Sequence, residues 1–151
     1  MITLQFSSTN EWASRAIRLL TWSWASHVDF VLPDGKLFGA LGVEGGGGVR
    51  FHELRERSHY TRIERFEVDA PDTVLEYALS QAGKPYDWAG IFGYVARNRK
   101  WEDEDKWFCS ELAAWAFQKA GVPLLNETSY RVTPRDVLIS PLLKPVEFSY
   151  I

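Results

Sequence analysis

The chain has 151 residues, 46% hydrophobic and 15% aromatic, with one cysteine and a formal net charge of −3 at pH 7. This length and apolar content suit one domain, residues 1–151, around a single core, and the negative balance argues against nucleic-acid binding by phosphate neutralisation. A lone cysteine excludes an internal disulfide, no apolar run reaches the length of a membrane span, and Met1-Ile2-Thr3-Leu4-Gln5-Phe6 has no signal-peptide character. The chain is therefore expected in the cytoplasm as synthesised, without membrane insertion, and release by a route such as host-cell lysis stays compatible.

Ile2 to Phe6 alternates and predicts a short strand. Ser8-Thr9-Asn10-Glu11 has the form of a capping box and predicts a helix to about Leu20, with Trp12, Ala16, Ile17 and Leu20 on its apolar face. Ser26 to Leu32 reads as a second strand, placing His27, Asp29 and Val31 on one face and Val28, Phe30 and Leu32 on the other. Pro33-Asp34-Gly35 is a hairpin signal, returning as a strand from Lys36 to about Glu44. The glycines at 45–48 form a loop without phosphate-loop spacing, and Val49 to Glu53 resumes extended structure.

The charged stretch Glu53 to Ser58 reads as solvated, and Tyr60 to Val68 as an edge-like strand. A helix follows, capped at Asp69 or Ala70, with Pro71 in its first turn, Val74, Leu75, Ala78 and Leu79 buried, and Gly83 as its stop. Ala89 to about Ala96 predicts a second apolar helix, and Arg97 to Lys106 a surface excursion. The run from Phe108 to Ala120 predicts an amphipathic helix with Cys109 in its first turn and Gly121 as a left-handed stop. Thr133-Pro134-Arg135-Asp136 caps a short helix, and Val146 to Tyr150 closes the chain as a strand.

The first turn of a helix favours an anion, which lowers a thiol's pKa and raises the nucleophilic fraction near neutrality. Cys109 is thus the candidate nucleophile, and it needs a base. Among the three histidines His27 is the best placed, mid-strand with polar neighbours on its own face. His52 and His59 fall in the charged stretch and read as exposed; with Glu53 and Glu56 they match no metal-ligand spacing, so no metal or other cofactor is expected.

A group that orients His27 follows from hairpin arithmetic. If Asp34-Gly35 is a two-residue turn, His27 faces Gly42, Asp29 faces Ala40, and Glu44 lies one diagonal step from His27 on the same face. A three-residue turn would send Glu44 to the opposite face. Asp29 shares the face of His27, but two residues along one strand is poor geometry for holding a ring.

The pieces Ser26-His27-Val28, Val43-Glu44-Gly45, Gly83-Lys84-Pro85-Tyr86-Asp87, Phe108-Cys109-Ser110-Glu111-Leu112 and Val132-Thr133-Pro134-Arg135-Asp136 resemble, in that order, the circularly permuted branch of the NlpC/P60 superfamily, and within it the YiiX-like group. These are papain-like thiol hydrolases in which the histidine strand precedes the cysteine helix. The resemblance implies an α+β fold, a small antiparallel sheet or open barrel packed against helices. It implies Cys109 as nucleophile, His27 as base, Glu44 as third member, Tyr86 near the thiol, and the Cys109 N–H as an oxyanion donor. Trp22, Trp24 and Trp107 are candidates for an apolar substrate groove. The expected substrate is an amide or ester in a small peptide, a cell-wall fragment or an acyl lipid. The alternatives are a lipid esterase or acyltransferase, and a degenerate member that binds a ligand or packs in an assembly.

Overall fold

The computed structural model describes residues 1–42, 47–86, 107–126 and 132–150. Glu44, the helix expected over 89–96 and the excursion expected over 97–106 lie outside the described residues. The elements in chain order are β1 (Ile2–Thr9), α1 (Trp12–Thr21), β2 (His27–Val31), β3 (Leu37–Leu41), β4 (Gly48–His52), a 3-10 turn (Arg57–His59), β5 (Tyr60–Val68), α2 (Thr73–Leu79), α3 (Cys109–Lys119), α4 (Pro134–Leu138) and β6 (Lys144–Val146). The described strands form one antiparallel sheet in the order β4-β3-β2-β1-β5-β6, so the architecture is a mixed α+β fold with an open sheet.

Strand alternation divides this sheet into two chemically different faces. Leu4 and Phe6 of β1, Val28 and Phe30 of β2, and Phe38 and Ala40 of β3 enter one buried cluster with Val74 and Ala78 of α2, Leu112, Ala116 and Phe117 of α3, and Val137 of α4. Phe30 stacks on Phe117 with ring centroids 6.2 Å apart. The other face carries Gln5 and Ser7 of β1, His27 and Asp29 of β2, and Arg50 and His52 of β4, which follow from the pairings Gln5↔Asp29 and Ser7↔His27. That a polar face has Gln5 and Asp29 almost fully buried means that groups are enclosed there, not rinsed by solvent.

The α3 boundaries follow the sequence. Phe108 is extended (φ −91°, ψ 149°) and Cys109 is the first helical residue. At the far end Gly121 takes φ +82°, and Val122 donates its N–H to the Phe117 carbonyl at 3.0 Å, closing the last turn. The α4 start is the predicted capping box: Asp136 N–H donates to Thr133 Oγ1 at 3.1 Å, and Thr133 N–H to Asp136 Oδ2 at 2.8 Å. Ser110 donates its hydroxyl to the Val132 carbonyl, which ties the beginning of α3 to the segment entering α4.

Several expectations change, among them the start of α2, which is Thr73 with Asp72 at the cap, so that Pro71 precedes the helix. The capping box at Ser8 does not form, because β1 continues to Thr9 and the Ser8 hydroxyl bonds Thr61 Oγ1 of β5 at 2.7 Å. The buried side of α1 is Ser14, Ile17 and Thr21, while Trp12 and Leu20 are exposed; Ser14 and Ser26 hydroxyls bond at 2.6 Å, so two small polar residues bring α1 close where large apolar ones would hold it off. β5 lies inside the sheet, flanked by β1 and, over Arg65–Glu67, by β6. The closing strand is Lys144–Val146; beyond it Phe148 lies under the Arg65 guanidinium at 3.8 Å and Tyr150 beside Tyr60.

The β2–β3 turn has three residues rather than two. Leu32 N–H donates to the Lys36 carbonyl at 2.8 Å, Gly35 takes φ +86°, and the register is Phe30↔Phe38 and Val31↔Leu37. That register sets Asp29 beside Gly39 instead of Ala40. A Cβ built on Gly39 would lie 2.3 Å from Asp29 Oδ1, so the carboxylate occupies the space that glycine leaves. Asp29 is short and buried, with little freedom to yield. Gly39→Ala is expected to lower stability by about 1–3 kcal/mol through overpacking, read as a shift of the urea unfolding midpoint at unchanged slope.

Candidate functional site

His27 opens β2, so its ring stands at the end of the sheet. Its Nε2 lies 2.9 Å from Asp29 Oδ1, and the same oxygen lies 3.1 Å from Nε2 of His52. Asp29 is therefore the acid that stands against the His27 ring. Two positions along one strand bring carboxylate and ring close, though without an aligned hydrogen bond, because the carboxylate leans over Gly39 into a gap with no side chain of its own. Through the same gap His52 reaches the carboxylate from β4, two strands from β2. Neighbouring strands are about 4.8 Å apart, so an ordinary side chain on β3 would block that approach.

None of the three converging atoms, His27 Nε2, Asp29 Oδ1 and His52 Nε2, makes a hydrogen bond of normal alignment, and all three are shielded from solvent. The contacts are short and the charges complementary, but the donors are not aimed as N–H···O bonds require. Burial opposes the charged form of His27; the Asp29 carboxylate, and after it the Cys109 thiol, outweigh this and raise its pKa well above the ordinary 6.5. Burial alone would raise the Asp29 pKa, yet the imidazoles of His27 and His52 hold it far below the usual carboxylate range.

The Cys109 thiol lies near enough to act on the same ring electrostatically, raising the His27 pKa after Asp29 does. With Nε2 turned to Asp29, Nδ1 is the nitrogen left for another partner. Cys109 itself is buried, 2% exposed. Above the polar face opens a cleft of about 630 Å³ whose lining includes His27, Asp29 and His52, an apolar side of Trp12, Ile17 and Tyr86, and charged groups at Glu11 and Arg55. The His27 side chain is 23% exposed although its Nε2 is shielded, so the remainder of the ring is what meets the cleft. Cys109 is not in that lining.

Tyr86 lies in the cleft wall, bridges to Trp107 through the backbone, and tilts against Phe108 with centroids 5.7 Å apart. The three tryptophans expected in a groove lie elsewhere. Trp107 is buried, donates its Nε1–H to Gln81 Oε1 at 3.1 Å and packs on Trp115. Trp24 lies under the Arg62 guanidinium at 4.1 Å. Trp22 ends α1 in the left-handed conformation (φ 54°) and is 86% exposed. Among the described residues, Trp12 is the tryptophan that lines the cleft.

His52 is the site residue that the sequence reading missed, and it is not exposed: its side chain is 19% accessible. His27, Asp29 and His52 offer donor atoms that all lie within 4.8 Å of one another. Two imidazole nitrogens and a carboxylate oxygen form a donor set suited to zinc-class divalent ions. Metal-ligand spacing along the chain could not reveal it, because the donors come from two strands separated by a third.

Neither a scan of protein-family models nor a search of curated proteins matches the chain. Among solved structures it is similar to the metalloprotein YiiX of Escherichia coli O157:H7, with 20% sequence identity, a TM-score of 0.72, and coverage of 99% of this chain and 97% of that one. At that identity the likeness is one of fold: the two chains share a small α+β architecture over nearly their full lengths.

Proposed function

We propose that the protein is a cysteine-dependent hydrolase or acyltransferase acting on an amide or ester, with Cys109 as nucleophile and His27 as base. The observation that carries this reading is the imidazole of His27, with Nε2 2.9 Å from a buried carboxylate and the ring electrostatically coupled to the chain's one thiol. His27 Nδ1 takes the thiol proton and the sulfur attacks the substrate carbonyl carbon. The tetrahedral oxyanion collapses, the C–N or C–O bond breaks, and the imidazolium returns the proton to the leaving amine or alcohol. Water or an acceptor alcohol or amine then cleaves the thioester by the reverse sequence. The N–H of Cys109, in the first turn of α3, is the proposed oxyanion donor.

Asp29 replaces Glu44 as the proposed orienting group. The mixed charges of Glu11 and Arg55 beside the apolar cleft wall favour a short peptide, such as a cell-wall fragment, over a plain acyl chain. The YiiX neighbour is named a metalloprotein; a metal ion on this chain would be held by His27, Asp29 and His52, with the proposed base itself among its ligands. One observation favours the second reading, a non-catalytic binding module: Cys109 is buried and the cleft does not reach it.

Alkylation separates the two. At about pH 6, iodoacetamide is expected to modify Cys109 much faster than a free thiol, and His27→Ala to slow the reaction on the order of 100-fold. Equal, slow labelling of both proteins would select the binding module. Muropeptides and short-chain esters, followed by mass spectrometry of the products, assign the bond.

The charge pair also sets a pH dependence. His27 has its pKa raised on folding, so its contribution is full below about 6.5 and is lost as pH rises through the folded value. Asp29 has its pKa depressed, so its contribution is present above about 3.8 and is lost as pH falls toward the folded value. The stability advantage of the wild type over Asp29→Asn in urea unfolding is therefore expected to be largest between those limits and to shrink as pH rises through the raised His27 value.

A further inference from the structure

We propose that His27 Nε2, Asp29 Oδ1 and His52 Nε2 form a site for one zinc-class divalent ion, and that its binding silences the Cys109–His27 pair. Three shielded polar atoms from β2 and β4 point at a common place without satisfying one another through aligned hydrogen bonds. Such groups are costly to bury unless something answers them. A cation does so for all three at once. Ligands about 2.0–2.2 Å from a tetrahedral ion stand about 3.3–3.6 Å apart. The Oδ1 atom already lies 2.9 and 3.1 Å from the two nitrogens, and the whole set is within 4.8 Å. Small side-chain movements therefore complete the coordination.

Two imidazoles and one carboxylate are borderline ligands that suit Zn²⁺ and exclude Ca²⁺ or Mg²⁺, which take oxygen. Three protein ligands leave a further position for water or a ligand group, and all three residues belong to the wall of the cleft. Buried Gly39 keeps this geometry possible, since any side chain there would push the carboxylate out.

The consequence for His27 is chemical. The ion takes the Nε2 lone pair and displaces any proton from that nitrogen, so the ring proton resides on Nδ1. An imidazole protonated on Nδ1 and metallated on Nε2 has no lone pair left to accept the Cys109 proton. Metal and thiol activation thus compete for one ring. This inhibitory half rests on the hydrolase reading; the binding half does not.

The test uses the full chain stripped with a chelator and then titrated with Zn²⁺, with Co²⁺ as the visible probe. One equivalent of Zn²⁺ is expected to bind, and Co²⁺ to give the intense visible absorption of a four- or five-coordinate site. His52→Gln is expected to weaken Zn²⁺ binding by more than the roughly 10- to 100-fold cost of losing an outer-shell partner, while Cys109→Ser binds as the wild type does. Iodoacetamide labelling of Cys109 should slow at least tenfold when one equivalent of Zn²⁺ is added and recover with chelator, and in His52→Gln it should ignore the metal.

Absence of stoichiometric Zn²⁺ binding by the wild type overturns the site, and so does binding lost in Cys109→Ser. Binding that leaves fast labelling unchanged overturns the competition alone. If labelling is already slow in stripped protein, the hydrolase reading fails and the competition with it, while stoichiometry and the His52→Gln comparison still decide the metal site. Thermal unfolding of each variant confirms that it is folded.

Discussion

A carboxylate enclosed between two imidazoles is the constraint to which the polar half of the molecule answers. Burying Asp29 at 2% exposure is unfavourable unless its charge is met, and the two rings that meet it come from different strands. Their convergence fixes the β2–β3 register, demands glycine at 39, and holds β4 at the distance from which His52 can reach. The shape of a three-residue turn is thus expressed several residues away as the position of a charge.

The opposite face solves a simpler problem. Leu4, Phe6, Val28, Phe30 and Phe38 offer a continuous apolar surface, and α2, α3 and α4 cover it. The same strand that buries Phe30 against Phe117 presents Asp29 to the other side. Packing on one face therefore sets geometry on the other, because a strand that moves carries both sets of side chains. α3 brings Cys109 to the end of this sheet, its first turn tied through Ser110 to Val132 and so to the capped start of α4.

How much of this was legible in the sequence depended on the range of the interaction concerned. α3 and α4 announce themselves through neighbours: Gly121 as a stop, and Thr133, Pro134 and Asp136 as a start. β5 is equally plain from Tyr60 to Val68, though its place inside the sheet is not. Cys109 and His27 were chosen from local chemistry plus a family resemblance, both of which work on short stretches of sequence. Asp29 was set aside and His52 overlooked because both depend on one turn residue and on an empty volume at Gly39, and neither fact exists at the level of neighbouring letters. The tryptophans misled for a related reason. Ring size announces burial or stacking, but not which surface will supply it, and Trp107 found Gln81 and Trp115 while Trp24 found Arg62.

The void above residue 39 also bears on how chains of this shape diverge. A glycine and an aspartate ten positions apart, on adjacent strands, behave as one inherited unit: the acid needs the vacancy, and the vacancy without the acid is a hole beneath two histidines. Neither position can drift by itself without stranding the other. Across relatives of this fold the two should be kept together or abandoned together, and a chain in which position 39 has gained a side chain will have rebuilt the neighbourhood of its histidine by other means.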